Sequence, residues 1–171
     1  ENCPICHTTL EQEEGKVAIF CPNKHCPAKI QGQLEMFVSK QAMNIDGFWE
    51  KQIELFLELW WITDFSSIFS LSQYRDELLR IEGYKEKSVN NLFDAIEKSR
   101  NTTLDRAFVA LGIPNVGKKT AKQIAKLFDD VSNQDWLLKQ IFEVTEENLL
   151  TLADIGPETA RAFVNFMNDN R

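Results

Sequence analysis

Long apolar runs are missing from this sequence. None approaches the ~18 residues a membrane-spanning helix needs. No charged-then-apolar leader opens the chain, so no secretion signal is read either. Histidine is almost absent. The two present, His7 and His25, each neighbour a cysteine, and both are expected to stay exposed or to sit behind the metal ligands rather than among them. There is no G-x-x-x-x-G-K-S/T phosphate loop, no lysine in a K-x-D-G setting and no Ser-His-Asp candidate. General-base and nucleophilic chemistry within this stretch are therefore not expected. Positive charge is short too: 19 Lys and Arg against 26 Asp and Glu leave a net charge of −7. That argues against a long-range electrostatic grip on nucleic acid. Cysteine does not occur after position 26, and Met does not open the chain, which is expected to be a piece of a longer protein.

The four cysteines that are present read Cys3-Pro-Ile-Cys6 and Cys21-Pro-Asn-Lys-His-Cys26. In a secreted protein such pairs can form two disulfides; in a bacterial or cytosolic setting this spacing points to one structural zinc ion. Pro4, Pro22 and Pro27 each follow a cysteine and stiffen the turns between ligands. The run Val17-Ala18-Ile19-Phe20 reads as a short strand. Residues 1–30 are thus expected to form a small four-cysteine zinc finger, too small to bury a core and folded by its metal.

From Gln33 onward the periodicity is helical. Leu34, Phe37 and Val38 stand at i, i+3, i+4; Ile53, Phe56, Leu57 and Trp60 continue the spacing, as do Leu92, Phe93 and Ile96 and then Ile124, Leu127 and Phe128. Trp60, Trp61 and Trp136 fall in apolar helical stretches and are expected in the core. Nothing alternates for long enough to make a sheet. The expected fold is mainly α: the zinc finger, then residues 31–171 as one helical DNA-binding domain.

A turn pattern, h-x-G-h-G-x-x-x-A with h apolar, recurs roughly every 30–40 residues within that region. Its copies lie near 45–52, 81–88, 113–120 and 152–159. Copies one and two keep the first glycine (Gly47, Gly83) and replace the second with Trp49 and Lys85. Copies three and four keep the second (Gly117, Gly156) and replace the first with Asn115 and Asp154, the residue types that best tolerate a positive φ. Four tandem helix-hairpin-helix motifs are expected, arranged as two pseudo-symmetric halves, Gln33–Ser99 and Thr103–Asp169.

Such a hairpin presents the unpaired N–H groups and partial positive charge of its second helix, a ready site for a phosphate oxygen. Contacts of that kind position a protein on DNA and carry no base information. Charge favours the third copy: Lys118, Lys119, Lys122 and Lys126 follow Gly117 with no acid among them, whereas Ile45–Glu58 carries Asp46, Glu50, Glu54 and Glu58 against Lys51 alone. The alternatives are ordinary glycine turns between packed helices and a solvated lysine face. The expected DNA-contacting set is Gly47, Gly83, Lys85, Lys87, Asn115, Gly117, Lys118, Lys119, Lys122 and Gly156. At Gly117 a branched side chain is expected to block both the turn and the phosphate.

These residues resemble a known family. Cys3-Pro-Ile-Cys6, Cys21-Pro-Asn and Cys26-Pro-Ala are similar to the zinc finger of bacterial NAD-dependent DNA ligases. Leu34-x-x-Phe37-x-Ser39-x-x-Ala42-Met43-x-Ile45-x-Gly47 and Leu111-Gly112-Ile113-x-x-Val116-Gly117 with Thr120-Ala121 are similar to the helical region after it. The resemblance covers nearly the whole chain. It implies a cytoplasmic, monomeric region that clamps nicked duplex DNA, while NAD and Mg2+ serve a nucleotidyl-transfer domain elsewhere in the same ligase chain. Trp49 and Lys85 stand where the family usually has glycine, and His7 where glycine commonly follows the second cysteine, so the strength of the first two hairpin contacts stays open. A non-enzymatic DNA-binding module of another repair or recombination protein, or a domain that docks other domains, would share the helical pattern.

Overall fold

The computed structural model describes residues 1–12, 15, 17–129 and 133–170. The chain packs as two compact units. One comprises Glu1–Glu35 with Phe48–Phe93, and the other Met36–Gly47 with Asp94–Arg171. No described helix is long and apolar enough to cross a membrane.

In the first unit, a two-stranded antiparallel ribbon, β1 (Glu11–Gln12) and β2 (Ile19–Phe20), pairs Glu11 with Phe20 and Gln12 with Ile19. Only the last two residues of the expected strand pair. Helix α1 (Pro27–Val38) starts straight after Cys26, whose carbonyl accepts from Lys29 and Ile30 at 2.9 and 3.0 Å. Proline opens the helix because its missing N–H is one that has no partner there. Helix α2 (Glu50–Glu58) buries Ile53 and Phe56 and exposes Glu50, Glu54 and Glu58. Helix α3 (Phe65–Ile68) is held by an Asp64 cap, whose carboxylate accepts from the Ser67 N–H at 2.9 Å. A 3-10 turn (Leu71–Tyr74), α4 (Arg75–Leu78) and the start of α5 (Glu86–Ser99) complete the unit. Its core gathers Phe48, Phe56, Ile62, Ile68, Leu78 and Val89.

The second unit holds α6 (Leu104–Ala110), α7 (Lys118–Ala125, extended by a 3-10 turn to Phe128), α8 (Gln134–Glu143), α9 (Glu146–Leu150) and α10 (Pro157–Asp169). Phe108 is its centre, edge-on to Phe163 at 5.2 Å and near Phe128 at 6.4 Å. Edge-to-face pairs of this kind add about 0.5–1.5 kcal/mol to simple burial. The expected division between Ser99 and Thr103 is not where the units part. Residues Met36–Gly47 pack with the second unit: the Arg106 guanidinium donates to the Lys40 carbonyl, and Met43, Asn44 and Asp46 line a cavity with Ala95, Lys98 and Ser99.

The four turns of the repeat share one backbone path. Gly47, Gly83, Asn115 and Asp154 all take a positive φ, at 78°, 93°, 62° and 65°. Two places on, the backbone is extended at Trp49 (φ −102°), Gly117 (−84°) and Gly156 (−89°). The carbonyls of Trp49, Lys85, Gly117 and Gly156 then each accept the first helical bond, from Ile53, Val89, Ala121 and Ala160. Two expectations are corrected. The left-handed backbone expected at Asn115 is there, but Gly117 is extended, and a β-carbon on it would meet no protein atom within 4 Å. A branched residue at 117 therefore leaves the turn intact. Among the three tryptophans expected in the core, only Trp61 packs inward, stacked on Tyr74 at 4.8 Å and on Phe56 at 5.7 Å. Trp60 is 80% exposed and Trp136 49%, because α2 has already ended at Leu59 and Trp136 opens α8 on its outer side.

Asn115→Val should lower stability by about 1 kcal/mol or more, since a β-branched residue resists left-handed backbone. Gly117→Val should stay within about 0.5 kcal/mol of the parent. Urea unfolding of both variants checks the assignment.

Candidate metal centre and nucleic-acid interface

The first cysteine pair is set by a turn in which Cys3 N–H donates to the Thr8 carbonyl at 2.8 Å and His7 N–H to the Cys3 carbonyl at 2.9 Å. His7 closes it at φ 58°, the conformation that makes glycine favourable there. The second pair uses an Asn side chain: His25 N–H donates to Asn23 Oδ1 at 2.9 Å, and Cys26 N–H to the Asn23 carbonyl at 3.2 Å. These turns converge Cys3, Cys6, Cys21 and Cys26, whose sulfurs all lie within 4.8 Å of one another. Cys3 and Cys26 are 3.9 Å apart and Cys6 and Cys21 3.4 Å, and all four are free thiols. Four thiolates at a Zn–S distance of about 2.3 Å stand about 3.8 Å apart in a regular tetrahedron. The donor set and its spacing fit one structural zinc. Both histidines are exposed and outside the cluster.

The thiols are unlike before any metal binds. Hydrogen bonding from Thr8, whose Oγ1 lies 3.3 Å from the sulfur, holds Cys6 down to about 5, while burial pushes Cys21 up to about 11. A bound cation would draw protons from all four, and its role there would be a cross-link between two turns that share almost no apolar core.

In the second unit, the third and fourth hairpins stand side by side. Lys119 Nζ, in the first turn of α7, lies 2.8 Å from Asp154 Oδ2 in the turn before α10. The lysine in turn holds the Asp154 carboxyl below the usual carboxylate range. Sequence reasoning placed Asp154 as a turn residue and Lys119 as a phosphate contact; their pairing was not foreseen, and the only signal for it is a charged residue in a glycine position. The exposed Lys118, Lys122 and Lys126 have no ion-pair partner among the described residues. Beside them, a β-carbon on Gly117 or Gly156 would meet no protein atom within 4 Å, and α10 opens on Pro157, which has no N–H to offer.

The second hairpin stands in the first unit. Lys85 and Lys87 are exposed around the start of α5, with Glu86 between them tied to Arg75 and Arg75 in turn donating to Asn90 at 2.7 Å. The first hairpin is different in character. Trp49, 64% exposed, occupies the place of Gly117 and Gly156, and Asp46 and Glu50 flank it.

Purified chain should carry about one zinc, and Cys21→Ser should lose it. Chelation should loosen residues 1–30 while leaving most far-UV helical signal, because the only helix this element reaches among the described residues is the first turn of α1, from Pro27. Elemental analysis with circular dichroism reads both.

Comparison with known proteins agrees with this geometry. Residues 2–28 match the NAD-dependent DNA ligase C4 zinc finger domain, and residues 106–171 match the helix-hairpin-helix motif. A DNA ligase of Shouchella clausii is 43% identical over 96% of this chain, one of Spiroplasma citri 39% over 96%, and one of Fusobacterium nucleatum 38% over 99%. The chain spans about a quarter of the length of these relatives, 23–24% in each. Four cysteines in a zinc-finger arrangement, followed by helical hairpins and matched along nearly the whole chain, place this protein in the NAD-dependent DNA ligase family, as its zinc-finger and helix-hairpin-helix region.

Proposed function

We propose that this region clamps the duplex around a nick, without reading sequence, for an NAD-dependent DNA ligase that seals breaks during replication and repair in the cytoplasm. The observation that carries the reading is the pairing of two helix starts, α7 and α10, in one unit, with a glycine just ahead of each helix and, along α7, Lys118 and Lys122, which have no ion-pair partner among the described residues. Backbone N–H groups at such starts take phosphate oxygens, and Lys118 and Lys122 add charge-assisted contacts. Gly117 and Gly156 serve by lacking a side chain where the phosphate approaches. Lys85 and Lys87 with Gly83 form a second, weaker phosphate site, and Gly47 belongs to a hairpin whose acids and Trp49 make it the poorest of the four.

The clamp acts through position. Holding the duplex converts the encounter of a nick with the catalytic domain into an intramolecular event. No residue of this chain forms or breaks a bond in that scheme. NAD and Mg2+ would be bound by other domains of the ligase chain, which works as a monomer.

Binding to nicked duplex should weaken as salt rises and be indifferent to sequence, as measured by fluorescence anisotropy. Lys118→Glu with Lys119→Glu should weaken it more than charge changes at Glu50 and Lys51. Gly117→Val should weaken binding with the fold intact; normal binding by this variant would refute backbone gripping.

Deleting the region from the full ligase should depress nick closure far more than AMP transfer from NAD to the enzyme. Equal loss of both steps would assign it to support of the catalytic domain instead. A scaffold module of another repair protein is the outcome if the full-length chain neither takes up AMP nor closes nicks.

A further inference from the structure

Trp60 is the feature that neither the zinc finger nor the hairpins account for. Helix α2 ends in a paired-bond turn: Trp60 N–H donates to the Leu57 carbonyl at 3.1 Å and Trp61 N–H to the Phe56 carbonyl at 2.9 Å. In this turn the residue after the cap is left-handed, and glycine is its usual occupant. Here it is tryptophan, at φ 58°. The chain thus places a tryptophan in left-handed backbone, where a bulky side chain is strained, and leaves 80% of it in water. Neither choice aids folding, and outliers of this kind cluster at sites of function.

The ring lines a groove of about 650 Å³ within the first unit, between the first turns of α1 and the last turn of α2. Ile30, Leu57 and the fully buried Ile62 give it an apolar side. Glu54 and Glu58, one helical turn apart, give it an acidic one. Gln31 approaches Glu54 at 3.4 Å, and no cation partners either carboxylate among the described residues. The last turn of α2 carries no basic residue, so its partial negative end is uncompensated as well. An exposed indole face, two carboxylates and a helix C-terminus all favour the same ligand charge. Phosphate is excluded by the same three features.

We propose that this groove docks a basic segment of a protein partner, in which an arginine or lysine lies over the Trp60 ring and pairs with Glu54 or Glu58 while an adjacent apolar side chain enters between Ile30 and Leu57. The groove shares no residue with the third hairpin, and its occupant is a peptide rather than DNA.

The test uses the 171-residue chain and a short fluorescein-labelled peptide of arginine and leucine, with a glutamate-and-leucine peptide as control. The arginine peptide should bind and the control should not. Trp60→Gly should weaken binding about tenfold or more. Its melting temperature should be unchanged or higher, because glycine relieves the left-handed strain. Glu54→Gln with Glu58→Gln should weaken binding and flatten its salt dependence. Nicked-duplex binding should be unaffected by all three changes, which separates this surface from the DNA clamp. Equal binding by Trp60→Gly and the double Gln variant, or equal binding of the glutamate peptide, would overturn the proposal. A lowered melting temperature for Trp60→Gly would make Trp60 structural and overturn it too. Self-association of the parent chain, abolished by Trp60→Gly in sedimentation, would reassign the groove to a second copy of this chain.

Discussion

The structure depends on one backbone constraint: a left-handed residue, used at four turns, then an apolar one, then a residue, extended at Trp49, Gly117 and Gly156, from which a helix departs. The left-handed step turns the chain sharply, and the residue after it, buried at Phe48, Val116 and Ile155 and half-buried at Tyr84, anchors the turn. The extended residue then leaves the first N–H groups of the new helix facing outward. Without that step the second helix would start elsewhere, and its unpaired donors would be spent inside the protein. Glycine meets the constraint freely, and Asn115 and Asp154 meet it at small cost because short polar side chains tolerate left-handed backbone.

The zinc finger rests on a different constraint with a similar consequence. Residues 1–30 bury little beyond Cys3 and Cys26 and form ribbons only two residues long, so apolar burial cannot order them. Four thiols within 4.8 Å of one another would supply the order through a bound metal. The Cys26 carbonyl then accepts the first bonds of α1, so the metal site and the first long helix share a residue and the order of one is passed to the next.

Charge is distributed to match. The net excess of acid lies partly on α2, at Glu50, Glu54 and Glu58, while Lys118 and Lys122, without an ion-pair partner among the described residues, sit on α7. The Lys119–Asp154 pair is highly exposed at both ends and contributes little to stability, so its value is positional. It links the starts of α7 and α10.

Features set by neighbouring residues were legible in the sequence: the cysteine pairs that form one four-thiol cluster, the helical periodicity, and the left-handed residues at 47, 83, 115 and 154. Each depends on spacing and backbone preference within a few positions, and these act locally whatever the rest of the chain does. Tertiary structure decided the rest. Lys119 and Asp154 are 35 residues apart, and nothing local links them. Trp60 fits the apolar spacing of α2 but lies beyond its last turn, so periodicity assigned it to a core that the helix no longer faces. Residues Met36–Gly47 follow α1 in the chain yet pack with Asp94–Arg171, because packing there is fixed by Arg106 reaching the Lys40 carbonyl, a contact between distant residues that no local pattern encodes.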